Sequence, residues 1–364
     1  MNHTYHIDPD ITKAETLPAS FYKDEQVFEL LKEKIFLKTW QFVGDEQLVK
    51  LPEQVYPFVL LENYLTEPML LSRDVEDKIH CMTNVCTHRG NIIAHHPGSQ
   101  KNLRCMYHGR RFSLKGEFEN MPEFKEAKGF PRPCDHLHQF PIEQWGPLLF
   151  AGLDGDFPFG SVIEKMKERV GFLPIHDFKL DTARSKDYLI NAHWALYCDN
   201  YLEGFHIPFV HKDLNSALDY GSYTTELYDY CNLQIGYADD DTELFELPEG
   251  HPDYGKKVGA YYYWVFPNMM FNFYPWGLSI NVVKPISSSK TKVSFISYVY
   301  DESKIESSAG ALLDKVERED EFVVEGVHNG IRSHFYQAGR YSPNMEKGVH
   351  HFHCLLADFI NQDG

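Results

Sequence analysis

Between about Thr39 and Asp156 apolar and polar positions alternate in short runs: TWQFVGD, YPFVLLE, PMLLSRD, KIHCMTNV, RRFSLKGEF and GPLLFAGLD, broken by Gly, Pro, Asn and Asp. Period-two alternation between turn residues predicts short antiparallel strands, so this stretch reads as a small all-β domain. Beyond it the period changes. SVIEKMKERVGFL spaces its apolar residues three and four apart, as one face of a helix does, and ALYCDNYLEGFHIP does so less cleanly until Pro208 interrupts it. Strands return from Tyr261 to Tyr300 in YYYWVFPNMMFNFY, LSINVVKPI and TKVSFISYVY, which are aromatic or β-branched and separated by turns. AGALLDKVEREDEFVVEGVHNGI then predicts a final helix that closes the chain. The order implies a small β domain inserted into or preceding a larger α+β domain, without internal repeats or low-complexity tracts.

Composition narrows the function classes. With 364 residues, 43% of them hydrophobic, the chain has room for one large or two ordinary domains and a sizeable buried core. Its net charge of −18 argues against a general nucleic-acid or anionic-membrane surface, which needs a basic footprint. The start, MNHTYHIDPDITKAETLP, lacks the basic opening and apolar run of a signal peptide, and no stretch approaches the ~20 apolar residues of a membrane helix. Seven cysteines is an odd number, and Cys86 and Cys105 each sit close to a histidine. A disulfide framework therefore explains them poorly, and a cytoplasmic, reducing location is expected.

Those two cysteines belong to Cys86-x-His88 and, sixteen residues later, Cys105-x2-His108. Each pair spans a tight turn, so two loops can present four ligands to one centre. Two thiolates and two imidazoles suit a tetrahedral zinc ion, or a [2Fe-2S] cluster with cysteines on one iron and histidines on the other. Gly90 and Gly109, where backbone must approach sulfur, the His-Pro-Gly turn at 96–98, and the surrounding strands favour the cluster. A second constellation lies in DNYLEGFHIPFVH, residues 199–211. Glu203 and His206, three apart, share a face of the expected helix, and a break at Pro208 lets His211 return to the same point. Two histidines with a carboxylate from elsewhere make the facial triad that holds Fe(II) and leaves positions open for O2 and substrate. Taken alone, the two histidines read better as ordinary helix-end residues, and it is the Cys/His constellation upstream that reverses this reading.

CTHRG and CMYHG closely resemble the two ligand loops of Rieske proteins. Met106 stands where that family commonly has proline, and Arg110 where it commonly has tryptophan, departures that bear on redox tuning and partner docking but touch no ligand position. Nearly the whole chain resembles the large (alpha) subunit of Rieske non-haem iron oxygenases. The resemblance implies an α+β fold: an all-β Rieske domain over 40–156, and a helix-grip catalytic domain with an antiparallel sheet over 1–39 and 157–364. It implies a mononuclear iron held by His206, His211 and a carboxylate on the late helix, where Asp320 takes the family position among Glu319, Asp320 and Glu321. Neighbours on a helix point about 100° apart, so the other two are expected on a solvated acidic face. Glu203 corresponds to the family's bridging carboxylate, with Asn200 and Asp199 as supporting residues. A homotrimer is implied, each cluster feeding the iron of its neighbour.

Within the family, DNYLEGFHIPFVH and GRYSPNMEKGVHHFH look like the branch that hydroxylates or demethylates quaternary ammonium compounds. The rings of YYYWVFPNMMFNFYPWG would attract a cation that cannot hydrogen-bond, or line a slot for an aromatic substrate, or simply build a buried sheet. His350, His351 and His353 are expected to be structural or interfacial. The implied reaction takes O2 and single electrons, hydroxylates a C–H bond beside nitrogen, and releases an aldehyde. Neither a G-x-G-x-x-G fingerprint nor plant-type ferredoxin cysteine spacing occurs, so NAD(P)H would be oxidised by a separate reductase or ferredoxin. An aromatic-ring-hydroxylating oxygenase is the alternative, and a Rieske electron-transfer protein with an empty second site is the alternative of another class.

Overall fold

A computed structural model describes residues 4–155, 157–211, 224–238, 243–306 and 313–362. It divides into two compact units, Leu37–Phe157 and a second made of Met1–Phe36 with Pro158–Gly364. In Leu37–Phe157 every named strand pairing is antiparallel. Three sheets form it: Trp40–Asp45, Leu148–Gly152 and Ile142–Trp145; a five-stranded sheet centred on Glu67–Arg73; and a small sheet of Leu103–Arg104, Arg111–Phe112 and Phe118–Asn120. Short alternating runs put one side chain in two inward, and the inward set Leu70, Met82, Leu103, Phe112 and Leu114 packs with Cys86 and Cys105 into one core cluster. The two Cys/His turns thus stand on a closed apolar base.

The second unit is built on a seven-stranded antiparallel sheet. Its strands run Lys179–Ile190, Lys290–Val299, Gly277–Ser287, Met269–Tyr274, Val258–Val265, Cys231–Tyr237 and Thr224–Leu227 in spatial order. The three between Val258 and Ser287 are buried along nearly their whole length, so both faces are covered. On one face, directly opposed positions place Gln234 against Tyr262, Tyr262 against Asn272, and Asn272 against Ser279. All but Tyr262 are polar and buried. A row of buried amides and hydroxyls crossing an apolar sheet is costly unless it meets partners or a ligand.

Helices Trp194–Tyr201, Leu313–Gly330 and Lys347–Asn361 pack in this unit, the first of them against the sheet and both of the others. Two expectations change here. The helix over 309–331 is described from Leu313, its residues 309–312 lying outside the described residues, and it does not close the chain. Lys347–Asn361 follows it, burying Val349, Phe352, Leu356, Phe359 and Ile360 at helical spacing. The histidines of VHHFHC interrupt that apolar pattern and hide it. The helix expected across ALYCDNYLEGFHIP is also two pieces, Trp194–Tyr201 and the single turn Ile207–Val210. Pro208 does not end a helix; it occupies the first turn of the second piece, where its missing N–H costs nothing.

Candidate metal centres

The two Cys/His loops share a backbone design despite different ligand spacing. Cys86 N–H donates to Asn91 O (2.8 Å) and Gly90 N–H to Cys86 O (3.0 Å), while Cys105 N–H donates to Arg110 O (2.9 Å) and Gly109 N–H to Cys105 O (3.0 Å). Gly90 and Gly109 adopt φ of 73° and 75°, the left-handed conformation that closes such a turn. Both cysteines are buried, both histidines are partly exposed, and the His88 and His108 rings lie 4.8 Å apart. Backbone N–H groups of Tyr107 and His108 and the Asn91 amide, 3.6 Å away, point at the Cys105 sulfur. Donors aimed at sulfur stabilise a thiolate.

These four donors fit a [2Fe-2S] cluster. His88 Nδ1 is buried and without a hydrogen-bond partner, as a ligand nitrogen facing a metal would be. Among the described residues the donors that gather within 4.8 Å of one another are those of His206, His211 and Asp320.

Arg110 is buried rather than presented at the surface. Its side chain is 1% exposed, donates to Asp135 Oδ1 at 2.8 Å, and sits 5.1–5.6 Å from the ring centres of Phe112, Phe118 and Phe130. Met106 and Tyr107 are the exposed apolar side chains beside His108. Asp135→Ala strands the guanidinium inside this aromatic box, and is expected to lower unfolding stability by about 3–5 kcal/mol in urea titrations. Adding Arg110→Met removes the orphaned charge and should restore most of the loss. If the double variant is no more stable than Asp135→Ala, the pair is not what holds this loop.

In the second unit, His206 and His211 flank the one-turn helix Ile207–Val210, which brings their ring centres to 5.1 Å. Asp320, mid-way along Leu313–Gly330, sets Oδ1 2.9 Å from His211 Nε2 and 3.4 Å from His206 Nε2. The opposite ring nitrogens are also engaged. His206 Nδ1 meets Glu203 Oε1 at 2.7 Å, and His211 Nδ1 meets Glu319 Oε2 at 2.8 Å. With Nδ1–H donating to a carboxylate, each imidazole turns the lone pair of Nε2 toward the common point, the tautomer a metal requires. Burial opposes charging His206, but Asp320 and Glu203 outweigh it and raise its pKa to about 9. The carboxylates that favour a proton there favour a divalent cation by the same charge. The donor set, two imidazoles and one carboxylate, fits Fe(II).

Glu203 does not share a helix face with His206. It lies in the break between the two pieces, where its Oε2 accepts from the backbone N–H groups of Phe205 and His206 while Oε1 takes the ring. Asn200 donates to Asp320 Oδ1 at 2.8 Å. Asp199 accepts instead from Tyr22 and pairs with His353, which is 1% exposed and also meets Tyr341. Glu319, expected on a solvated face, is the partner of His211. The helix is wrapped closely enough there for two adjacent residues to serve the same site.

A cavity of about 120 Å³ opens on this centre. Tyr262 and Tyr274 line it together with Tyr197, Tyr201 and Phe295, whereas Tyr261 and Tyr263 hydrogen-bond elsewhere, to Asp253 and Lys165 O. Gln234, Asn272, Asn281 and Glu317 complete its polar lining. None of these four stood out in the sequence. Glu317 was visible only as the residue one turn before Asp320, and Tyr197 as the one before Asn200.

Residues 39–141 match the family of the Rieske [2Fe-2S] domain, and residues 174–362 match the ring hydroxylating alpha subunit (catalytic domain). The chloroplastic choline monooxygenase of Arabidopsis thaliana is 31% identical over 96% of this chain and 84% of its own length. The carnitine monooxygenase oxygenase subunit of Escherichia coli (strain K12) is 26% identical over 95% of this chain and 94% of its own. A quaternary ammonium Rieske monooxygenase studied for carnitine oxidation and inter-subunit electron transfer shares the fold, with a TM-score of 0.78 at 22% identity over 97% of both chains. Naphthalene 1,2-dioxygenase with indole bound shares it too, with a TM-score of 0.72 at 17% identity over 100% of this chain and 95% of that one. No helix among the described residues is long and apolar enough to cross a membrane. Matches along nearly the full length thus meet two centres whose donors suit a cluster and a single iron, and the chain belongs to the alpha subunits of the Rieske non-haem iron oxygenases, oxidoreductases that draw their electrons from a separate protein.

Proposed function

We propose that this protein is a monooxygenase of small quaternary ammonium compounds, with Cys86, His88, Cys105 and His108 holding the cluster and His206, His211 and Asp320 holding the iron. The observation that carries the substrate class is the cavity beside that iron site, walled by Tyr197, Tyr201, Tyr262, Tyr274 and Phe295. Aromatic faces attract a cation that has no N–H to donate, and choline and carnitine monooxygenases are among the relatives matched over most of the chain. When bound, the iron supplies O2 activation and the cluster supplies electrons one at a time.

The side chains have separable tasks. Glu203 and Glu319 fix the two histidine rings through Nδ1, and Asn200 fixes the carboxylate of Asp320. The tyrosines hold the ammonium so that one of its N-linked C–H bonds faces the open side of the centre. Hydroxylation at that carbon gives a hemiaminal, whose collapse releases an aldehyde. We place the protein in a homotrimer in which Glu203 links His206 to a cluster histidine of the neighbouring copy, a reading supported by the partly exposed imidazoles and by the inter-subunit transfer described for the carnitine enzyme. A cytoplasmic location fits its seven unpaired cysteines. The electrons come from NAD(P)H through a separate reductase or ferredoxin.

The test is O2 consumption by the iron-loaded protein with a ferredoxin–reductase pair, comparing choline, glycine betaine and carnitine with naphthalene and benzoate. Consumption matched by aldehyde formation with at least one quaternary ammonium compound, and no ring hydroxylation, is the expected result. A hydroxylated arene as the main product would overturn the reading in favour of a ring hydroxylase.

A further inference from the structure

Glu317 has no part in the iron site or in its hydrogen-bonded surroundings, yet it is placed in the cavity wall at 3% exposure. Its Oε2 accepts from Tyr197 at 2.6 Å, while its Oε1 is buried and has no hydrogen-bond partner. A buried carboxylate oxygen left without a donor is destabilising unless something else meets it. Lys and Arg are absent from the described residues that line the cavity, and its two histidines are those of the iron site, engaged with Asp320, Glu203 and Glu319. Burial, reinforced by the Asp320 carboxylate, pushes Glu317 up to about 8. A group so placed becomes a stable anion when a cation arrives beside it.

We propose that Glu317 is the counter-charge for the substrate's ammonium group and, with no Lys or Arg among the described lining residues, selects cationic alcohols of the choline type over betaines that carry a carboxylate. This rests on the quaternary ammonium reading and sharpens it. A trimethylammonium group has no N–H, so it can lie against the rings of Tyr197, Tyr262 and Tyr274 by charge alone, with the Glu317 carboxylate in the wall beside them. A zwitterion brings the same head group, but its carboxylate finds Glu317 in the wall and no Lys or Arg among the described lining residues to receive it. Tyr197 is a positioning residue: its hydroxyl donates to Oε2 and so fixes the carboxylate in the wall.

The experiment measures binding by calorimetry to the anaerobic, iron-loaded protein, wild type and Glu317→Gln. The probes are choline, glycine betaine, and 3,3-dimethyl-1-butanol, the uncharged carbon isostere of choline. Wild type is expected to prefer choline to each of the other two by about tenfold or more, as loss of one buried charge contact implies. Glu317→Gln should lose that preference over the isostere, binding choline about tenfold or more weakly and the isostere within about threefold of wild type. Iron content and the reduced-cluster resonance verify that the variant is folded and loaded. If Glu317→Gln weakens choline and the isostere equally, the residue shapes the cavity and the charge role falls. Should wild type bind glycine betaine as tightly as choline, the exclusion of carboxylates falls. If both variants bind choline equally, the Glu317 proposal fails while the quaternary ammonium reading stands; if wild type binds no quaternary ammonium compound, both fail.

Discussion

Changing His206 to alanine is expected to abolish turnover while leaving the iron–sulfur cluster untouched. The variant removes one of the three donors that meet around Asp320 Oδ1 and also cuts the chain of contacts from Glu203 into the site. With only His211 and Asp320 remaining, the centre falls below the three protein ligands that define this class of iron site. The cluster ligands lie in the other compact unit, on a core of their own, and have no reason to respond. Metal analysis of anaerobically prepared protein should therefore fall from about three irons per chain to about two, with acid-labile sulfide constant at about two. The resonance of the dithionite-reduced cluster should be superimposable on that of wild type. Two irons in both proteins would mean that the triad does not hold iron, and that the chain serves electron transfer alone.

What the sequence disclosed depended on how locally each feature is encoded. The cluster ligands are two contiguous motifs, each folding into one turn, so Cys86, His88, Cys105 and His108 could be named from spacing. His206 and His211 are nearly as local, although the backbone that joins them was misjudged. The signal for one long helix comes from apolar spacing, and it is blind to the break around Glu203, where a side chain satisfies the backbone N–H groups. Asp320 came from resemblance because three consecutive acids on a helix look alike until the direction of the histidines is known. The same ignorance sent Glu319 to the solvent face. The cavity was the least legible part. Its wall gathers Gln234, Tyr262, Asn272 and Asn281 from separate strands, and a one-residue slip in any register would have put that residue on the other face. Of the aromatic run in the sequence, Tyr262 and Tyr274 reach the cavity while Tyr261 and Tyr263 hydrogen-bond elsewhere, so one run supplies both cavity wall and buried sheet.

Glu203→Gln is expected to slow turnover by roughly 10–100-fold without loss of iron, the usual penalty for disturbing a carboxylate behind a metal-bound imidazole. Glu203 does two things that an amide cannot do together. One oxygen accepts the proton of His206 Nδ1, and the other accepts the N–H groups of Phe205 and His206 that shape the turn. Glutamine has one acceptor and one donor at these places. Whichever way it turns, an N–H faces another N–H, or the ring swings away. If it keeps the turn, the ring loses its fixed tautomer and the basicity that an anionic partner lends it; if it keeps the ring, the turn that spaces His206 from His211 loosens. Three ligands still surround the iron, so the metal count should remain at about three per chain. In the proposed trimer the same carboxylate also carries the contact through which electrons reach the iron site. Rapid mixing of the pre-reduced variant with O2 and choline should therefore show cluster oxidation slowed in the same proportion as steady-state turnover. A drop in turnover accompanied by loss of iron would instead assign Glu203 to metal retention. Slow turnover with cluster oxidation at the wild-type rate would leave the orientation of His206 as its task and remove it from the electron path.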